Sequence, residues 1–188
     1  MDIQEDVLPV IKIAVSGHRN ITEEKRLCSA VRQVLEEITR LYTGAEIWLY
    51  SALAEGADQL AAGVGLEFPE IKLVVPLPLS QEEYFKDFLT EEGKEKFYAL
   101  LQKAHKVVEL PVERDHRNAY RQLGNYLVEQ CDLLLAMWDG EDGRALGGTG
   151  EVVENARATG RKVYWIYCEN GGGKTEKEKE VGKIRLLD

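Results

Sequence analysis

Cysteine is scarce, and what there is does not pair. Cys28, Cys131 and Cys168 are an odd set without close spacing, which excludes a disulfide framework and a zinc-binding pattern. Cys131 and Cys168 fall in or beside apolar runs, so buried free thiols and a cytoplasmic location are expected. Long hydrophobic runs are missing too. None approaches the roughly 20 residues that a membrane helix needs, so no membrane partner is expected. Residues 1–6 are acidic and polar, unlike a secretory signal. Positive charge is in deficit: 24 Lys and Arg stand against 33 Asp and Glu, a formal net charge of −9. Binding nucleic acid takes a basic face for the phosphates, so no nucleic-acid partner is expected. A mononucleotide asks for less, because backbone amides and one or two Arg can hold it. No G-x-S-x-G elbow occurs, which argues against a serine hydrolase triad. Nothing calls for a metal or a cofactor.

What is present suits one globular domain of 188 residues, 44% hydrophobic and 30% charged, with its core over about 11–168. Short β-branched runs alternate with longer amphipathic ones. Strands are predicted over 11–15, 46–50, 71–75, 106–110, 132–138 and 162–167. Helices are predicted over 22–42, with Thr22 as N-cap, and over 57–66, 118–130 and 150–159. Pro76 and Pro78 should halt the third strand. The charged stretch 80–104 reads as helical with a break near Gly93. The fifth strand is the most hydrophobic and is expected to be central. Such alternation predicts βαβ units: a three-layer α/β, Rossmann-like domain with a mostly parallel twisted sheet. Residues 170–180 read as a flexible, solvated segment, and 183–187 as a short edge strand. Gly171-Gly172-Gly173-Lys174-Thr175 imitates a P-loop, but the position five before Gly173 is Cys168 and no apolar helix follows.

Three strand-to-loop junctions carry the chemistry. In Leu146-Gly147-Gly148-Thr149-Gly150-Glu151 a glycine-rich turn follows an apolar strand and opens a helix. That is how α/β proteins build a phosphate site, since glycines let the backbone approach the anion and the helix amides face it. Ser16-Gly17-His18-Arg19 and the stretch from Ser51 through Gly56 to Asp58 repeat the arrangement. In a parallel sheet all three junctions fall on one edge, where ligands bind. Arg19 is a forked cation suited to phosphate, and His18 is a weaker candidate for a base. Asp58 is expected to cap its own helix. Residues 114–121 concentrate cations, among them Arg117 and Arg121, and Asn118 could bond a sugar or base. Asp139, at the end of the fifth strand, could meet ribose hydroxyls.

In order along the chain stand S-G-H-R, then S-x-L-A-x-G-A-D-x-L-A, then R-N ahead of D-x-L-L-A-x-W-D-G, then G-G-T-G-x-V-V-x-x-A. This ordered set resembles the Smf/LOG (SLOG) superfamily of Rossmann-like domains, nearest to its uncharacterised YpsA-like members. The resemblance implies a small-molecule nucleotide ligand, bound by Ser16, Gly17, His18, Arg19, Ser51, Gly56, Asn118, Asp139, Gly147, Gly148, Thr149 and Gly150, with sensing rather than turnover as one form that binding could take. It is compatible with a homo-oligomer, since the family often forms dimers. LOG enzymes carry P-G-G-x-G-T-x-x-E and cleave a nucleotide N-glycosidic bond with that glutamate and an upstream arginine. Here Leu146 stands for the proline, Glu151 for the threonine and Glu154 for the glutamate. The alternative function is therefore a LOG-like hydrolase in which Glu154, Glu151 and Arg117 are the catalytic candidates. An Smf-like nucleic-acid module is a third reading, against which the acidic balance stands.

Overall fold

Strands made almost wholly of apolar residues have no face to give to water, so both faces of their sheet must be covered. The computed structural model describes residues 8–111, 115–141, 147–171 and 179–188. In chain order the elements are β1 (Val10–Gly17), α1 (Glu24–Leu41), β2 (Glu46–Tyr50), α2 (Ala57–Gly65), β3 (Ile71–Leu77), α3 (Gln81–Phe85), α4 (Glu91–Leu101), β4 (Lys106–Glu109), α5 (His116–Gln130), β5 (Leu133–Trp138), α6 (Thr149–Ala158), β6 (Lys162–Tyr167) and β7 (Ile184–Leu187). The strands form one sheet in the order β4-β3-β2-β1-β5-β6-β7. All neighbours pair in parallel except β7, which lies antiparallel on the edge beside β6. The fold is thus a three-layer α/β domain, as the alternation predicts.

Each face carries its own core. The pleat sends Ile13 and Val15 of β1 one way and Ala14 the other. On the first face Val34, Leu35 and Ile38 of α1 and Ala61 of α2 join Ile13, Val15, Leu133 and Leu135. On the second face Leu123 and Leu127 of α5, Val152 and Ala156 of α6, and the rings of Tyr84 and Phe97 join Ala14, Leu134 and Ala136. Burying one such aliphatic side chain contributes about 1.5–3 kcal/mol.

Four local expectations are corrected. Pro76 does not halt β3, which runs on to Leu77 paired with β4. Leu73 and Leu77 turn their carbonyls to the β4 side, whereas Val74 bonds Ser51 on the β2 side. Pro76 therefore aims its missing N–H past the end of β2, where no ladder bond is lost. Thr22 is not the N-cap of α1: that position is Glu23, with φ 55° and no side-chain cap. The break in 80–104 lies between α3 and α4 rather than at Gly93. Gly93 is instead the amide that the N-cap Thr90 receives at 2.9 Å. Finally, the middle strand of the seven is β1, with the fully apolar β5 beside it. Residues 172–178 of the stretch expected to be flexible lie outside the described residues.

This order positions a site. From β1 the chain builds outward through β2, β3 and β4, whereas β5 and β6 lie on the opposite side. The carboxyl ends of β1 and β5 are therefore neighbours whose connections leave in opposite directions, and such a switch point opens a crevice.

Candidate functional site

The first two junctions touch backbone to backbone. The His18 amide donates to the Met137 carbonyl of β5 at 3.1 Å, and the Ala57 amide donates to the His18 carbonyl at 3.0 Å. Gly56 sits at that contact with φ +87°, and a Cβ there would lie 2.2 Å from the Arg19 carbonyl oxygen. Only glycine tolerates both conditions. Gly56 thus serves the approach of the two loops.

The third junction is held from behind. Gly147 has φ +76°, and a Cβ on it would come within 2.7 Å of the Arg121 amide nitrogen of α5. Glu151 accepts the Gly147 amide at 2.7 Å and Arg121 Nε at 2.9 Å with its two carboxylate oxygens. One oxygen holds the turn and the other meets the Arg121 guanidinium, whose positive charge offsets the repulsion that a carboxylate in a helix's first turn would offer to an anion. Gly148, the N-cap of α6, has φ −77° and ψ 166° and provides no side-chain cap. The leading amides of a helix point out of its N-terminus without intrahelical partners. Ser16 Oγ donates to Thr149 Oγ1 at 3.4 Å, which ties the end of β1 to this helix start.

Between these parts lies a cavity of about 340 Å³. Of the residues expected from sequence, Ser16, Gly17, His18, Arg19, Gly147, Gly148 and Thr149 line it. Ser51, Gly56, Asn118, Asp139, Gly150, Glu151, Glu154 and Arg117 are not among its lining residues. Ser51 is buried, donating to the Asp58 carbonyl at 3.1 Å and accepting the Leu53 amide at 3.2 Å. Asp139 stands behind His18: its amide donates to His18 Nε2 at 3.1 Å, with a carboxylate oxygen 3.3 Å from the same nitrogen. Glu154, Arg117 and Asn118 are exposed, and Asn118 lines a separate groove beside Arg121. Leu146 and Arg114 lie outside the described residues.

The cavity also gathers residues that the sequence did not single out for it. Asp58, in the first turn of α2, does not cap that helix. Its carboxyl receives the backbone amides of Ala54 and Ala52 and lines the cavity at 7% exposure. Burial pushes it up to about 7, against the pull of the Arg19 guanidinium and those two amides. Tyr84 of α3 lines the same cavity with its ring fully buried, edge-on to Phe88 at 5.3 Å and Phe97 at 5.9 Å. Burial holds its hydroxyl well above the usual range, with the Asp58 charge acting in the same direction. Arg19 Nη2 donates to Tyr120 Oη at 2.9 Å, and that hydroxyl donates to Asp87 Oδ2 at 2.5 Å. Arg19 is thereby a fixed cation at the cavity wall. Among the described residues no group of three or more His, Cys, Asp or Glu is placed to hold a metal ion. No described helix is long and apolar enough to cross a membrane.

No protein-family profile matches the chain, and a search among curated proteins finds no relative. Among solved structures it is similar to the X-ray structure of TM1055, a Northeast Structural Genomics Consortium target. The TM-score is 0.51 at 15% identity, over 91% of this chain and 81% of that one. Likeness at that identity shows the fold alone. It is a Rossmann-like fold.

Proposed function

We propose that the chain is a nucleotide-binding domain of the Smf/LOG (SLOG) kind, which holds a phosphate-bearing ligand in the cavity between the ends of β1 and β5. The observation that carries this reading is the uncapped start of α6, opening into a cavity at the switch point of the sheet. Backbone amides and a helix dipole suit an anion there, and Arg19 adds a fixed positive charge. The volume, at the low end of ligand pockets, suits a mononucleotide better than a dinucleotide. Free thiols at Cys28, Cys131 and Cys168 support a reducing, cytoplasmic setting.

Binding is favoured over the LOG-like reaction because its motif-matched carboxylates stand away from the cavity. Glu154 is exposed and Glu151 is occupied by Gly147 and Arg121. The test is thermal unfolding against a panel of nucleoside monophosphates, ADP-ribose and NAD at millimolar concentration. Ligand at 100 times its dissociation constant stabilises by about 2.7 kcal/mol, so a shift of several degrees is expected for at least one compound. A flat panel overturns the reading. Chromatography of the same mixtures is expected to find no free base, and its release would restore the hydrolase.

A further inference from the structure

We propose that Asp58 and Tyr84 form a hydroxyl-recognising floor in this cavity, so that the ligand is a phosphorylated sugar of mononucleotide size gripped through its ring hydroxyls. The proposal rests on the phosphate site above for the other end of the ligand and adds the group bound at the floor.

Tyr84 is 0% exposed, yet its Oη has no hydrogen-bond partner. Buried hydroxyls are almost always paired, and an orphan that lines a cavity points to an occupant. Asp58 lines the same cavity from α2, itself nearly fully buried. Two of its hydrogen bonds come from the Ala54 and Ala52 amides. A carboxylate offers about four acceptor positions, so capacity remains for a ligand. The chemistry of the occupant follows from the charges around it. A second anion at the floor would meet Asp58, and a cation would meet Arg19. A neutral group that both donates and accepts satisfies the pair at once, giving its proton to Asp58 and taking one from Tyr84. The phenol keeps its proton because burial opposes its ionisation. Sugar hydroxyls are such groups, and a pentose carrying one phosphate spans a cavity of about 340 Å³.

The experiment is calorimetry on the full chain with AMP, 2′,3′-dideoxy-AMP, adenosine, 2′,3′-dideoxyadenosine and inorganic phosphate. Wild type, Tyr84→Phe and Asp58→Asn are compared. Both variants are nearly isosteric, and Tyr84→Phe leaves the ring packing on Phe88 and Phe97 intact. Wild type is expected to bind AMP at least tenfold more tightly than its dideoxy analogue. In each variant that preference should fall below threefold, with no loss of affinity for inorganic phosphate. A tenfold preference that persists in both variants overturns the proposal, as does a wild type with no preference for the diol in either the AMP or the adenosine pair. The phosphate reading fails separately. If adenosine binds as tightly as AMP and still better than its dideoxy form, the phosphate site falls and the hydroxyl floor stands.

Discussion

At the scale of single residues, Asp58 shows how a site can work against the fold that holds it. Its carboxyl titrates near about 7 in the folded chain against an ordinary value of 3.8, so the folded state holds that proton more tightly than the unfolded state. The resulting stabilisation is full below pH 4 and is lost as pH rises through about 7, an effect on the order of 4 kcal/mol. Asp58→Asn removes this dependence. Denaturant unfolding at pH 5 and pH 8 should show wild type losing stability relative to the variant, and parallel behaviour would contradict the buried carboxyl. Perturbed groups of this kind concentrate at functional sites. Glu154 is the opposite case. It is exposed on α6, so Glu154→Gln should leave nucleotide affinity within about twofold and stability within about 0.5 kcal/mol. A tenfold loss of affinity by calorimetry would return it to the site.

At the scale of elements, the glycine turn before α6 divides its work between two adjacent positions. Gly147 carries the positive φ and the tight contact with α5. Gly147→Ala should therefore cost at least about 2 kcal/mol through strain and displacement of the Arg121 backbone. Gly148 has an extended conformation open to any side chain. Gly148→Val should leave the melting temperature within a few degrees while abolishing the proposed nucleotide binding, because its side chain would enter the cavity at the start of α6. Melting curves and calorimetry on the two variants separate the roles. Retained binding in Gly148→Val would remove the phosphate cradle.

At the scale of the whole molecule, two cores on either side of one sheet leave little solvent access to the thiols they contain. Cys131 and Cys168 are buried, and burial pushes them up to about 11 and about 12. Cys28 is half-buried, and burial raises it too. Since the thiolate is the nucleophile, iodoacetamide at neutral pH should modify Cys28 first in the folded chain. Cys131 and Cys168 should react only on unfolding, as mass spectrometry of the alkylated chain would reveal. Labelling of Cys168 ahead of Cys28 would contradict the burial of the residue that follows β6.

Periodicity is a local property, and the sequence by itself therefore determined the strand and helix order, the parallel sheet and the three junctions. β2 and β6 begin and end at the predicted residues, 46–50 and 162–167. Residue type and a following helix were also enough to bring Ser16, Arg19 and Gly148 to one cavity at the edge of the sheet. Tertiary structure decided the rest, because a cavity is lined by elements remote in the chain. Tyr84 reads as an aromatic in a charged helix and becomes a cavity wall only when α3 folds its ring into the second core. Asp58 reads as a cap until the loop after β2 folds back and presents the Ala52 and Ala54 amides to it. Glu151 and Glu154 share a motif in one dimension. Three apart on α6, they share a side of the helix, and it is the Gly147 amide and the arrival of Arg121 from α5 that set Glu151 to hold the turn, while Glu154 stays exposed.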